Sequence, residues 1–110
     1  MKSKTLKENK DFRRLYYRGN SQATPCLVTY VVKNRFGETR VGITSGKKIG
    51  NAVKRNRARR LIRAAFALYE DKLNDHYDIV FVARTRTSQV KMQEVAVQMQ
   101  KQLKALGVLD

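Results

Sequence analysis

From Lys47 to Arg63 the chain reads Lys-Lys-Ile-Gly-Asn-Ala-Val-Lys-Arg-Asn-Arg-Ala-Arg-Arg-Leu-Ile-Arg, a window that holds eight of the 24 Lys and Arg residues. No Asp or Glu occurs between Glu38 and Glu70. Side chains of this kind at this density bind polyphosphate, and nucleic acid is the polyphosphate they most resemble a footprint for. Arg outnumbers Lys within the helical part of the window. Its planar guanidinium grips phosphate or a base edge through two parallel hydrogen bonds. Asn56, set between Arg55 and Arg57, contributes an amide that donates and accepts, which suits a nucleotide edge or a 2′-hydroxyl better than a bare phosphate.

A solvated helix face explains this window poorly. Exposed helices mix signs, because opposite charges at i, i+4 stabilise by roughly 0.2–0.5 kcal/mol and like charges cost about as much. Arg55–Arg59 and Arg59–Arg63 are like-charged pairs at that spacing. Lys54 and Arg55 stand near a helix N-terminus, where the macrodipole disfavours cations. Gly42-Ile-Thr-Ser-Gly46-Lys47-Lys48 fails as a phosphate loop, since the glycine spacing is one residue short and Lys48 stands where Ser or Thr is needed.

Other chemistries find few residues. His76 is the single histidine and Cys26 the single cysteine; they fall in different elements, which excludes a Cys/His metal site and a Cys-His nucleophilic pair. Glu70, Asp71, Asp75 and Asp78 follow the basic helix and read as a solvated helix end; a weakly held hydrated Mg²⁺ is the alternative. No catalytic constellation of side chains is expected.

The 110 residues suit one domain over residues 1–110 with a single core. A net charge of +15 admits nucleic acid or an anionic membrane as partner. No apolar run approaches the roughly 20 residues that span a bilayer, and Met1-Lys-Ser-Lys-Thr-Leu-Lys-Glu has no apolar stretch behind its charges, so neither a membrane partner nor a signal peptide is expected. The lone cysteine points to the cytoplasm.

Several elements must position these groups. A first helix is expected over residues 8–18, started by Glu8 or Asn9 and ended by Gly19, with Phe12, Leu15 and Tyr16 on one face and Arg13, Arg14 and Arg18 around the rest. Core packing and function are equally open for Phe12 and Tyr16. An irregular or edge-strand segment follows over Asn20 to Pro25. Cys26 to Lys33 is a strand, with Cys26, Val28, Tyr30 and Val32 on one side and Leu27, Thr29, Val31 and Lys33 on the other; both rows are largely apolar, so both faces should be covered. Asn34 to Gly37 turns, and Thr39 to Ser45 returns as the second strand of an antiparallel hairpin. The basic helix runs over 51–73 from an Asn51 N-cap, with Ala58, Leu61, Ile62, Ala65, Phe66, Tyr69 and Leu73 inward and Asn56, Arg57, Arg59, Arg60 and Arg63 outward. Tyr77 to Ala83 is a central strand. Thr87 or Ser88 caps a third helix whose inner face carries Val90, Val97 and Leu103, with Ala96, Met99 and Leu106 nearby. The order α-β-β-β-α-β-α makes an α+β, two-layer sandwich of three helices on about four strands.

Arg55-Asn56-Arg57, with Lys47 to Val53 before it and Arg59-Arg60-Leu61-Ile62-Arg63 after it, closely resembles the signature of the bacterial ribonuclease P protein subunit. Asp11-Phe12 through Tyr16, Leu27 to Val31, Arg40-Val41-Gly42-Ile43 and Tyr77-Asp78-Ile79-Val80 through Ala83-Arg84 extend the likeness over nearly the whole chain. The resemblance implies the protein subunit of an endoribonuclease that removes 5′ leaders from precursor tRNA. The RNA subunit of that enzyme carries the catalytic site and the Mg²⁺ the holoenzyme requires, and the protein supplies no catalytic or metal-binding residue. By the same resemblance Lys47, Lys48, Asn51, Lys54, Arg55, Asn56, Arg57, Arg59, Arg60 and Arg63 face the ribonuclease P RNA. Phe12, Tyr16 and Tyr30 line a cleft for the single-stranded leader, which accords with aromatic stacking beside a positive groove. It also implies a left-handed crossover through the basic helix, against the usual rule. Tyr16 stands where the family often has phenylalanine, and Ala58 where it tends to carry a larger aliphatic residue.

Two other functions share the basic helix. A general RNA-binding protein of ribosomal type needs no leader cleft. A DNA-binding domain would read a major groove with the basic helix, but a strand and a Gly-Lys-Lys turn precede Asn51 where a partner helix is needed, and DNA is not an expected partner.

Overall fold

The computed structural model describes residues 1–110. Its elements are β1 (Lys4–Thr5), α1 (Asn9–Arg18), β2 (Asn20–Thr24), β3 (Leu27–Lys33), β4 (Arg40–Thr44), α2 (Ala52–Ala67), β5 (Tyr77–Ala83) and α3 (Met92–Ala105), with 3-10 turns over Lys47–Ile49, Glu70–Lys72 and Thr85–Gln89. The five strands form one sheet in the order β1-β4-β5-β3-β2.

β5 takes the centre because it is apolar on both faces; six of its seven residues are buried. β3 pairs with it antiparallel, from Leu27 opposite Ala83 to Lys33 opposite Tyr77. β4 pairs with it in parallel, from Arg40 beside Asp78 to Thr44 beside Val82. The expected hairpin of the Cys26–Lys33 and Thr39–Ser45 segments is therefore wrong: the two strands flank β5 and never meet. Residues 34–39 cross the width of β5, roughly 10 Å at ordinary strand spacing, which a tight turn does not reach. The irregular segment is the edge strand β2, paired antiparallel with β3, and the two-residue β1 on the other edge was not anticipated.

The alternation of β3 has the expected consequence. Leu27, Thr29 and Val31 are buried with Ile79 and Phe81 under α2 and α3, forming the main core with Ile62, Phe66, Met99 and Leu103. Phe66 and Phe81 meet at 5.3 Å. The other face carries a smaller cluster, Leu6, Leu15 and Val80, with Phe12, Tyr30, Val32 and Val82 packed on it. The sheet with α2 and α3 makes the two layers; α1 adds a partial third across the opposite face, and the α+β class stands.

Two helix readings need correction. α2 stops at Ala67 rather than 73; Tyr69 and Leu73 still pack on the core from the following turn, and the Tyr69 hydroxyl donates to the Ala96 carbonyl at 2.8 Å. α3 begins at Met92, and Thr87 instead closes the preceding 3-10 turn, accepting from the Arg84 amide at 2.8 Å. The inner face of α3 is Val95, Ala96, Met99, Gln102 and Leu103, while Val97 is exposed. The i, i+3, i+4 row passes through Gln102, and a polar residue inside the row hides its phase. Gly19 ends α1 as expected but with φ −74°, so the left-handed conformation is not the reason for glycine. A Cβ there would lie 2.5 Å from the Leu15 carbonyl oxygen.

Candidate nucleic-acid interface

The basic window folds as a 3-10 turn followed by α2. Ile49 is buried and anchors the turn, which leaves Lys47 and Lys48 exposed. Gly50 has φ +129°, a conformation only glycine adopts without strain, and it turns the chain into the helix. Asn51 caps α2 as expected: its side-chain oxygen accepts from the Lys54 amide at 3.0 Å. That oxygen is engaged in capping, so only the amide nitrogen of Asn51 is free for a ligand.

Ala58, Ile62, Ala65 and Phe66 turn inward, which leaves the cations outward. Asn56, Arg59, Arg60 and Arg63, with Val53, line one shallow concavity of about 490 Å³. Arg57 is set apart on the other flank, its Nε donating to the Ser88 carbonyl at 3.0 Å, and Arg55 leans back on the Gly50 carbonyl at 3.4 Å. No ion pair of the protein involves any of the eight cations between Lys47 and Arg63. The like-charge cost inferred from the sequence is thus present and uncompensated within the chain.

The aromatic residues lie on the opposite face of the sheet. Phe12 and Tyr16 have ring centroids 6.5 Å apart. Tyr16 meets Tyr30 edge-on at 5.0 Å and 72°, so helix and strand bring all three into one cluster. Phe12 lies directly on Gly42; a Cβ at that position would come 2.7 Å from its ring. Tyr16 keeps 43% of its surface exposed, while Phe12 and Tyr30 are half-buried.

Beyond the cluster, where α1 no longer covers the sheet, a cleft of about 710 Å³ opens at the carboxyl ends of β4 and β5. Val28 and Val82, paired in register, form its floor on the face that Tyr30 shares, and Lys47, Lys48 and Arg84 stand on its rim. Crevices at the carboxyl ends of parallel strands are where open sheets hold ligands. Lys47 and Lys48 therefore border the aromatic side rather than the outer face of α2. Val28, Val82, Arg84 and Thr85 were not foreseen as site residues. The row Val28–Tyr30 was visible in the strand alternation, but nothing in the sequence said which part of that row α1 leaves open.

A buried charge network holds α1 in place. Asp78 has no exposed surface, yet it accepts from Arg40 Nε at 2.8 Å and Nη2 at 2.6 Å, from Arg14 Nη2 at 2.5 Å and from Asn34 Nδ2 at 2.9 Å. Burial alone would raise its pKa; the bonds from Arg40, Arg14 and Asn34 outweigh it and hold the carboxyl below its ordinary value. Arg40 is held further towards its charged form by the same bonds. The acidic residues after α2 are accordingly not one solvated cluster. Asp78 is inside the sheet, Glu70 accepts from the amides of Lys2 and Ser3, Asp75 pairs with Lys33 at 2.9 Å, and Asp71 with Lys2 at 3.6 Å. No three His, Cys, Asp or Glu side chains converge as a metal site would need.

Residues 1–107 match the family model described as Ribonuclease P. The chain is 42% identical over 95 residues to the ribonuclease P protein component of Clostridioides difficile strain 630, covering 86% of this chain and 83% of that one. It is 37% identical over 111 residues to the same component of Clostridium botulinum strain 657, covering all of both. Among solved structures, the Staphylococcus aureus RNase P protein superposes with a TM-score of 0.86 at 32% identity, over 99% of this chain and 100% of that one. The Thermotoga maritima RNase P protein does so with 0.78 at 25%, over 97% and 98%.

Proposed function

The chain belongs to the ribonuclease P protein family, and from that premise we propose that its two surfaces divide the recognition of RNA, the outer face of α2 taking the ribonuclease P RNA and the aromatic cleft taking the 5′ leader of precursor tRNA. The family membership makes the protein a component of an endoribonuclease that processes tRNA 5′ ends. An RNA partner follows from that membership; which RNA lies on which surface is the proposal.

The observation that carries it is the separation of the two chemistries by the sheet. Unneutralised cations and an amide on α2 suit a folded RNA's phosphates and 2′-hydroxyls. The Phe12–Tyr16–Tyr30 cluster and the Val28–Val82 floor suit unpaired bases, each stacked base contributing roughly 1–3 kcal/mol. Lys47 and Lys48 on the rim supply charge beside the stacked strand and link it to α2. A leader held in the cleft while α2 sits on the catalytic RNA fixes the distance between leader and reaction centre, so binding energy away from the scissile bond becomes positioning.

The holoenzyme's Mg²⁺ belongs to the RNA in this proposal. The four carboxylates after α2, Glu70, Asp71, Asp75 and Asp78, are taken up by the chain's own cations and amides. We place the protein in the cytoplasm with its tRNA substrates; no helix is long and apolar enough to cross a membrane. The matches lend no support to a ribosomal-type role.

Reconstitution with a bacterial ribonuclease P RNA tests the proposal. At low Mg²⁺ the protein should stimulate 5′ cleavage of precursor tRNA, and Tyr16→Ala with Tyr30→Ala should weaken precursor binding while leaving mature tRNA binding intact. Equal losses for both RNAs would refute the leader assignment.

A further inference from the structure

The two most exposed aromatic side chains are in neither surface. Tyr17 on α1 is 93% exposed and Phe36, in the turn after β3, is 65% exposed. Tyr17 stands with Arg13 and Arg18 over a groove of about 420 Å³ on the outer side of α1, and Phe36 with Arg35 borders a concavity of about 650 Å³ between that helix and the turn. Lys10 and Arg14 line both hollows, so the two are one continuous strip.

The strip is built rather than loose. The Arg40 guanidinium lies 4.3 Å from the centroid of the Phe36 ring and is itself fixed by two bonds to buried Asp78. The Phe36 amide donates to Asn34 Oδ1 at 3.0 Å, and Gly37 with φ +76° completes the turn. One ring face is backed by a cation and the ring stays largely open to solvent. Glu8 and Asp11 partner Lys10 and Arg14, but Arg13, Arg18 and Arg35 have no ion pair in the protein. Lys10–Arg14 and Arg14–Arg18 are like-charged at i, i+4, and of these three only Arg18 lacks a carboxylate partner.

We propose that this outer strip is a second single-stranded RNA site, on which Tyr17 and Phe36 each stack an unpaired base while Arg13, Arg18 and Arg35 take phosphates. Free cations alternating with open aromatic faces suit unpaired nucleotides; a duplex offers no exposed base faces, and an apolar protein partner would not need the cations. Since α1 separates the strip from the leader cleft, the bound segment is not the leader but an unpaired loop or joint of the ribonuclease P RNA or of the tRNA body. The inference extends the proposed function and rests on its premise that the protein works within an RNA complex.

Binding of the full chain to ribonuclease P RNA, and of the reconstituted holoenzyme to precursor and to mature tRNA, tests it. Tyr17→Ala with Phe36→Ala should weaken at least one of these by about tenfold or more, to a similar degree with and without a leader and with the melting temperature unchanged. A loss on ribonuclease P RNA alone assigns the strip to the catalytic RNA; a loss only with both tRNAs assigns it to the tRNA body. Arg13→Gln, Arg18→Gln and Arg35→Gln together should lower the slope of log affinity against log salt by roughly two to three, a readout independent of the aromatic pair. Affinities within twofold of the parent on all three RNAs, for both variants, would overturn the inference. Failure of the leader proposal looks different, because there the Tyr16 and Tyr30 variants retain their preference for precursor over mature tRNA while the outer variants keep their effect.

Discussion

Arg14 of α1 donates through Nη2 to Oδ2 of Asp78 in the central strand, and this single bond ties the helix that carries the aromatic residues to a fully buried carboxylate. Phe12 lies two residues before Arg14 and Tyr16 two after it, so the pair fixes their height above the sheet from the side away from the cleft. Arg40, beside Asp78 in register, donates to both oxygens, and Asn34 Nδ2 donates to Oδ1. No buried side-chain nitrogen or oxygen in the protein lacks a partner. A satisfied network of this kind is retained at the cost of desolvation, and breaking one member costs far more than the pair contributes net.

Asp78→Asn keeps the shape and removes the charge, leaving Arg14 and Arg40 facing a neutral amide. Urea unfolding should show a loss of roughly 3–5 kcal/mol. Arg14→Ala should cost less, about 1–2 kcal/mol, because Asp78 keeps Arg40 and Asn34, yet it frees α1 and should reduce precursor tRNA affinity. A variant with full stability loss and unchanged precursor affinity would show that the pair does not position the cleft.

The same network sets an acid limit. The Asp78 carboxyl is held below its ordinary range, so its contribution to stability is complete above the unfolded-state value of roughly 4 and is lost as pH falls through the lower folded-state value. Glu70, also lowered, adds in the same direction. Stability measured from pH 7 to 3 should stay flat with respect to these groups down to about pH 5 and then fall, and the Asp78→Asn variant should show a shallower acid limb.

Gly42→Ala probes the floor of the aromatic cluster. The new methyl would sit 2.7 Å from the Phe12 ring, and that ring, at the end of a half-buried side chain on α1, is what must move. The fold should survive with about 1–2 kcal/mol lost to overpacking, and the preference for precursor over mature tRNA should fall several-fold. An unchanged preference would mean that Phe12 tolerates displacement or takes no part in leader binding.

Much of this architecture was legible because its residues obey local rules. Asn51 capped α2 where the sequence placed it, β5 matched its expected span from Tyr77 to Ala83, and the two apolar rows of β3 face α2 and α3 on one side and α1 on the other, except at the open Val28 end. What failed was non-local. Residues 34–37 carry ordinary turn chemistry, which suggested a hairpin, yet strand order is decided by which strand can bury both faces, and β5 lies about forty residues further on. Val97 was assigned inward because hydrophobicity outweighed phase, while Gln102 held the core position. On the candidate site, the basic face of α2 was readable from charge and period alone, and the three aromatics required the family resemblance. The open end of the cleft, with Val28, Val82 and Arg84, depends on where α1 stops covering the sheet, which no local pattern encodes.

Gln102 tests the polar part of the core. Its amide nitrogen donates to Thr24 Oγ1 and to the Leu27 carbonyl, both at 2.9 Å, and its oxygen accepts from Thr29. Gln102→Leu restores the hydrophobic phase of α3 but leaves the buried Thr29 hydroxyl without its acceptor and the Leu27 carbonyl without this donor. The desolvated groups should cost roughly 1–3 kcal/mol each, exceeding the gain from one added apolar side chain. A more stable Gln102→Leu protein in urea would show that β2 and β3 relax to recover those bonds.

Salt dependence tests whether the unpaired cations of α2 meet phosphates at all. If about five phosphates are neutralised, affinity for ribonuclease P RNA should fall by roughly two to three orders of magnitude between 50 and 200 mM salt. Replacing Arg59, Arg60 or Arg63 singly by Gln should reduce the slope by about one, because each lies exposed or half-exposed on one flank with no carboxylate to release. Arg57→Gln should also destabilise the free protein slightly, since its Nε holds the Ser88 carbonyl, whereas Arg60→Gln and Arg63→Gln should leave the melting temperature unchanged. A slope indifferent to all of these substitutions would place the ribonuclease P RNA elsewhere than on α2.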